Sequence, residues 1–268
     1  MSGCGGPAGH AVRELLLQRG HNVIAVDMQP SFTAQIGSVP QANDPNFVHE
    51  LDRIARNGHC DLVIPTVSEE LPVLADLWDR SGIPIVLSLL ESVLIADDKF
   101  STCEHLKSKG VAVPNYRLPS MERDGLGWPL ISKPRRGRGG RGVAVHENEL
   151  TIAELDDEYV LQEFIPSMEY APNIYNNNGK SFAIVLKKTK LKQGIVGNAL
   201  AVERANDPDI AELAIRAAKT IGLTGPADID IRRRSDGTPV VLDINARFGA
   251  NLAYAPEVLD AALEDYLL

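Results

Sequence analysis

An acidic hairpin constrains this chain more than any other feature. One arm reads Ala227-Asp228-Ile229-Asp230-Ile231 and the other Val240-Val241-Leu242-Asp243-Ile244-Asn245, with Ser235-Asp236-Gly237-Thr238 between them. An Asp-Gly pair between alternating apolar residues is a strong hairpin signal. A two-residue loop pairs Ser235 with Thr238, and counting back sets Asp230 opposite Asp243 and Asp228 opposite Asn245. Side chains alternate faces along a strand. Ile229, Ile231, Val240, Leu242 and Ile244 therefore share an apolar face, while Asp228, Asp230, Asp243 and Asn245 share the other, with Arg247 just beyond. Opposed Cβ atoms lie about 4.5–5.5 Å apart, and like charges there repel. A positive group should offset the repulsion. A hard cation bound through oxygens does so, and Mg²⁺ usually shares its shell with substrate phosphates. By itself the hairpin is equally compatible with a solvated acidic face on an antiparallel sheet.

The rest of the chain bears on that choice. Its 268 residues can bury a sizeable core in one large domain or several subdomains. The net charge of −9 argues against nonspecific nucleic-acid binding, which needs an electropositive surface. Cys4, Cys60 and Cys103 show no CxxC spacing, which points to a reduced, cytoplasmic setting rather than a disulfide framework. No apolar run approaches the length of a membrane span.

The amino-terminal third reads as α/β. Gly3-Cys4-Gly5-Gly6-Pro7-Ala8-Gly9 leads into a helical stretch from Ala11 to Arg19, and strands are expected at 23–27, 61–65 and 83–87 with helical patterns between them. Such alternation implies a parallel sheet. The glycine loop suits an anion at a helix amino terminus, and Asp27 sits where a ribose-binding acid could sit. A tight turn without a ligand explains the glycines as well. The fingerprint should follow a strand, and the sequence before Gly3 leaves no room for one, so the first strand of this sheet is expected either to be missing or to lie upstream of the given start.

A second glycine-rich loop has a different context. Trp128-Pro129-Leu130-Ile131-Ser132-Lys133-Pro134 reads as a strand, Arg135 to Gly142 as a loop, and Val143-Ala144-Val145 as the returning strand. Lys133 and four arginines fall within ten residues of an acidic protein. Successive backbone N–H groups in such a loop can cradle phosphate, so a polyanionic ligand is expected. A solvated flexible loop or an RNA-contacting basic patch is the plainer alternative, the second weakened by the acidic total and the lack of interleaved aromatics. Downstream, Tyr159 to Pro166 is an apolar strand ending in a kink, and Glu169 follows. A strand that stops there leaves backbone groups free to pair with an adenine edge.

Together these segments resemble the ATP-grasp superfamily, and most closely the carbamoyl-phosphate-synthetase-like carboxylate–amine ligases. Gly3 to Asp27 looks like the family's N-terminal domain, and Asp98-Lys99 like the start of its small nucleotide-binding subdomain. Lys133-Pro134 and the loop 135–142 look like its lysine and glycine-rich flap. Gln162-Glu163-Phe164-Ile165 resembles the adenine-binding linker, and Asp243-Ile244-Asn245-Ala246-Arg247-Phe248-Gly249 resembles the metal motif E-x-N-P-R-x-G. The resemblance implies an α/β chain, α+β in its carboxyl-terminal part, with a Rossmann-like domain at 1–95, a small ATP-grasp subdomain at 96–160 and a larger one at 161–268.

The resemblance also implies roles. Lys99 and Lys133 would contact ATP and its α-phosphate, and Arg138, Gly139 and Gly140 would form the flap. Gln162 would meet the adenine amino group, while Glu163, Phe164 and Ile165 line the base with backbone groups of Glu163 and Ile165 in use. Glu169 would take the ribose hydroxyls. Asp230, Asp243 and Asn245 would hold Mg²⁺, with Mn²⁺ a chemically acceptable substitute. Arg247, with Lys133, would be catalytic, stabilising the transferred phosphoryl group. Phosphoryl transfer needs charge neutralisation and positioning more than a protein nucleophile. The implied reaction joins a small carboxylate, such as an amino acid, to an amine through an acyl phosphate, releasing ADP and phosphate. Asp243 replaces the usual Glu of the motif, Ala246 the usual Pro, and Asn173 stands where relatives often carry an acid. No nucleic-acid or membrane partner is expected, and a homodimer stays open. Two other readings stay open as well: an NAD(P)-binding oxidoreductase or sensor built on Gly3 to Asp27, and a non-catalytic ATP-binding module.

Overall fold

The protein was analysed as a computed structural model, which describes residues 1–30, 36–78, 81–122, 124–177, 179–192, 194, 197 and 199–267. In the amino-terminal part, α1 (Pro7–Gln18), β1 (Ala25–Asp27), β2 (Ile36–Ser38), α2 (Phe47–Asn57), α3 (Leu71–Leu77), α4 (Leu90–Asp97) and α5 (Lys99–Ser108) follow in order. β1 and β2 pair in parallel, and Val63 bridges Ile85 in parallel. No regular strand precedes α1. Residues 1–4 nevertheless run in its place. Val26 N–H donates to the Met1 carbonyl at 3.0 Å, Cys4 N–H to that of Val26 at 3.2 Å, and Ser2 N–H to that of Ile64 at 3.2 Å. Helix α1 lies so close to this segment that a Cβ on Gly9 would stand 2.1 Å from the Gly3 carbonyl oxygen.

A four-stranded antiparallel sheet comes next. It contains β3 (Tyr116–Arg117), β4 (Leu130–Pro134), β5 (Ala144–His146) and β6 (Tyr159–Glu163) in the order β3-β6-β4-β5. The glycine-rich loop is therefore the connection of the β4–β5 hairpin, as its sequence context predicts. The expected boundary between residues 160 and 161 cuts β6, all of which pairs with β4.

The large sheet holds β7 (Glu169–Tyr170), β8 (Asn173–Asn177), β9 (Lys180–Ile184), β10 (Leu186–Leu191), β11 (Ala199–Arg204), β12 (Gly225–Arg233) and β13 (Pro239–Asn245). Helices α6 (Pro208–Thr220) and α7 (Glu257–Leu267) complete the chain. Asp207 caps α6 by accepting from Ile210 N–H at 3.3 Å, and Pro208 fills the first turn, where no N–H is needed. Ile210, Leu213, Ala214 and Ala217 follow at helical spacing and share a core with Ile229, Ile231, Val241 and Ile244. Burying one such Ile contributes about 1.5–3 kcal/mol. No described helix is long and apolar enough to cross a membrane, and all three cysteines are free.

The acidic hairpin is formed by β12 and β13, and its register at the acids matches expectation: Asp228 faces Asn245 and Asp230 faces Asp243. The route to that register differs. Arg234, not Ser235, pairs with Thr238, donating its N–H to the Thr238 carbonyl at 2.9 Å. The loop is three residues long, closed by Gly237 at φ +87°, as suits a turn ending in a left-handed residue. Ile231 then faces Val241 and Arg232 faces Val240, and a bulge between Asp230 and Ile231 restores the predicted pairing. Leu242 is the extra residue. It leaves the apolar face assigned to it, and Val241 takes its place in the core.

Candidate functional site

The β4–β5 hairpin and the β12–β13 hairpin enclose a cavity of about 220 Å³. Lys99, Lys133, Arg138, Gly139, Gly140, the linker Gln162 to Ile165, Glu169, Asp230, Asp243, Asn245 and Arg247 all line it. Residues from sequence positions 99 to 247 thus meet around one space.

The flap is anchored at its base. Asp98 caps α5 by accepting from Phe100 N–H at 3.0 Å and Ser101 N–H at 3.3 Å, and it also binds Arg135 through Nη2 at 2.5 Å and Nε at 3.1 Å. Burial alone would raise the Asp98 pKa, but Arg135 and the cap bonds hold it below the ordinary carboxylate value. Lys99 donates from Nζ to the Gly137 carbonyl at 3.0 Å and lies 3.6 Å from Asp243 Oδ1. Lys133 is buried, and burial lowers its pKa against the opposing pull of Asp243 and Glu169. Lys133 forms no ion pair among the described residues, and a buried lysine so placed is a ready partner for an anion.

At the linker, Gln162 donates from Nε2 to Cys103 Sγ at 3.4 Å, while its Oε1 is buried without a hydrogen-bond partner among the described residues. An orphaned acceptor in the cavity wall suits an exocyclic amino group. Of the backbone groups at the linker, Glu163 N–H donates to the Asn115 carbonyl at 2.8 Å and the Ile165 carbonyl accepts from Arg232 Nη1 at 2.7 Å. Glu169 is also occupied, by Lys188 Nζ at 2.5 Å and by Arg232 Nε at 2.9 Å.

Positive side chains do offset the Asp230–Asp243 repulsion. Lys188 Nζ donates to Asp230 Oδ1 at 2.7 Å. Burial would lower the Lys188 pKa, but Asp230 and Glu169 more than reverse this and hold it above the ordinary lysine value. Arg247 donates from Nη2 to Asn245 Oδ1 at 2.9 Å and from Nη1 to Asp228 Oδ2 at 3.4 Å. Burial pushes the Asp228 pKa up to about 6, with Arg247 opposing and Asp230 adding to the rise. Among the described residues no three His, Cys, Asp or Glu side chains form a cage for a metal. Asp230, Asp243 and Asn245 offer two carboxylates and an amide oxygen on one wall. That set fits Mg²⁺, which takes one or two carboxylates and completes its shell with phosphates and water.

Sequence reasoning missed Lys188, Arg232 and Leu242, all of which line the cavity. Arg232 was legible, since alternation puts it on the face of Asp228 and Asp230. Leu242 is there because of the bulge. Lys188 sits in the run Leu186-Lys187-Lys188-Thr189-Lys190, which reads as a solvated strand. In the first glycine loop the Asp27 carboxylate accepts from Gly5 N–H at 2.9 Å and from Gln29 N–H at 3.0 Å.

Comparison with known proteins agrees with this architecture. Residues 96–251, more than half of the chain, match the model of the ATP-grasp domain. The chain belongs to the ATP-grasp family. It is 20% identical to a carbamoyl-phosphate synthase of Methanobrevibacter smithii over 89% of this chain and 68% of that protein. It is 25% identical to a D-alanine–D-alanine ligase of Gloeobacter violaceus over 97% of this chain and 89% of the relative. The L-amino acid ligase of Bacillus licheniformis superposes with a TM-score of 0.70 at 18% identity, covering 91% of this chain and 66% of that one. The chain thus spans about two thirds of the length of the synthase and of the L-amino acid ligase. The family is one of ATP-dependent ligases, and nothing found favours the oxidoreductase reading.

Proposed function

We propose that the protein is an ATP- and Mg²⁺-dependent ligase that joins a small carboxylate, such as an amino acid, to an amine through an acyl phosphate. The observation that carries this reading is the convergence of the flap, the orphaned Gln162 Oε1, the buried Lys133 and the opposed Asp230–Asp243 pair on one cavity. The names of the ligase relatives support an amino-acid-like substrate.

Gln162 and the neighbouring linker hold the base, with Leu242 and Ile131 as apolar walls. Lys133 and Lys99 neutralise the polyphosphate, and the flap excludes water when it orders over it. Asp230, Asp243 and Asn245 would hold Mg²⁺, which supplies charge neutralisation at the β- and γ-phosphates. Arg247, kept in line by Asn245 and Asp228, stabilises charge on the phosphoryl group as the carboxylate attacks it. The amine then displaces phosphate from the acyl phosphate. A cytoplasmic setting suits both the nucleotide and the free thiols. Screening pairs of amino acids and amines for ATP-dependent phosphate release tests the reading. ADP and inorganic phosphate are expected in step with amide formation; AMP and pyrophosphate would overturn the acyl-phosphate route.

A further inference from the structure

We infer that Lys188 is an internal counter-ion that holds the place of the divalent cation in the nucleotide-free protein, and that metal binding must displace it from Asp230. The inference rests on the proposed nucleotide site. Lys188 Nζ lies 2.7 Å from Asp230 Oδ1 and 2.5 Å from Glu169 Oε1, with its side chain only 8% exposed. Asp230 is also an expected metal ligand. An ammonium and a divalent ion on one carboxylate repel each other strongly in a poorly hydrated site, so the two compete even if they use different oxygens.

The surroundings decide which charges stay paired after the exchange. When Lys188 leaves, Glu169 keeps its second cation, Arg232, at 2.9 Å, and Asp230 gains the metal, so no buried carboxylate is stranded. Lys188 itself loses two carboxylates in a place where an unpaired charge is costly. Metal alone gives it nothing in exchange. A polyphosphate arriving with the metal does. Metal and nucleotide should therefore enter together, and the free protein should hold metal weakly despite its paired aspartates.

The test needs no turnover. Mn²⁺ binding to the nucleotide-free protein is measured by electron paramagnetic resonance for the wild type, Lys188→Met and Lys188→Met/Asp230→Asn. Lys188→Met is expected to bind Mn²⁺ at least about tenfold more tightly than the wild type, because removing a cation beside Asp230 raises its pull on another. Adding Asp230→Asn should abolish the gain. Should Lys188→Met fail to fold, Lys188→Gln, which keeps donors for Glu169, is expected to shift affinity in the same direction. A folded Lys188 variant with unchanged or weaker Mn²⁺ affinity overturns the inference, as it would if Lys188 were purely structural. The outcome is separable from the proposed reaction: tighter Mn²⁺ binding in a protein that forms no amide sustains the inference, while an ADP-forming enzyme whose Lys188 variants bind Mn²⁺ no better loses it.

Discussion

Two glycine-rich loops, Gly3 to Gly9 and Arg135 to Gly142, look alike as strings of letters and serve opposite ends. In the first, the protein itself fills the space that glycine opens. A Cβ on Gly3 would meet Val67 Cγ2 at 2.3 Å, one on Gly9 would meet the Gly3 carbonyl oxygen at 2.1 Å, and Gly5 turns its N–H to Asp27. In the second, a Cβ on Gly137 would meet nothing within 4 Å, although one on Gly140 would meet the Gly197 Cα at 2.9 Å and one on Gly142 the Pro134 Cγ at 2.8 Å, and the loop borders the cavity. A glycine demanded by packing and a glycine that faces open space are indistinguishable in sequence. What surrounds them separates the two.

The comparison can be broken most forcefully at Gly9. Gly9→Ala forces a methyl into a backbone carbonyl and should cost about 3 kcal/mol or more, since overpacked sites of this kind relax poorly. Denaturant unfolding measures it. A variant as stable as the wild type would mean that the first loop is not committed to packing.

At the second loop's partner hairpin, activity rather than stability is at stake. Asp243→Asn should change stability little, because relief of the repulsion with Asp230 is set against loss of the carboxylate beside Lys99 and buried Lys133. Turnover should fall on the order of 10²-fold, as when one charge-stabilising group is lost, and the thermal shift produced by ATP–Mg²⁺ should shrink. Wild-type turnover across a Mg²⁺ titration would return the acids to the role of a solvated face.

The first loop also rests on a buried carboxylate. Ser2 Oγ donates to Glu70 Oε2 at 2.5 Å, and burial pushes the Glu70 pKa up to about 7 from 4.5, with Ser2 opposing the rise. The folded-state pKa is the higher one, so the folded protein binds the proton more tightly and loses stability as pH rises from about 4.5 to about 7. Glu70→Gln removes that loss. It should stabilise the protein at pH 8 by up to about 3 kcal/mol, with the advantage vanishing near pH 4.5, and thermal melts at the two values read it. An advantage independent of pH would detach Glu70 from this account.

The smallest effect is expected at Gly137, whose φ of +128° disfavours any other residue. Gly137→Ala should raise the KM for ATP several-fold by straining the flap, at a cost of about 1 kcal/mol or less in global stability. Hydrogen exchange in the flap should slow with ATP–Mg²⁺ in the wild type and less so in the variant. A large fall in melting temperature without a KM change would make this loop resemble the first.

The acidic face, the flap and the linker were legible in sequence because local rules govern them: strand alternation, turn chemistry and glycine content. Even so, the expected pairing of Asp230 with Asp243 came out right through two offsetting differences, a loop one residue longer and a bulge at Leu242. Local periodicity could establish which residues share a face. It could not say that Leu242 would cross to the cavity, because a bulge is decided by how the hairpin packs against α6 and the neighbouring strands. Lys188 lay further out of reach. Its place between Asp230 and Glu169 depends on β10, β7 and β12 meeting in one sheet, and contacts between distant segments exist only once the chain has folded. The sequence by itself determined the family, the alternating elements and which acids face one another across the hairpin. The tertiary structure alone decided which glycines stay open, which lysine balances the acids and which face Leu242 joins, since each depends on the burial and charge that only assembly creates.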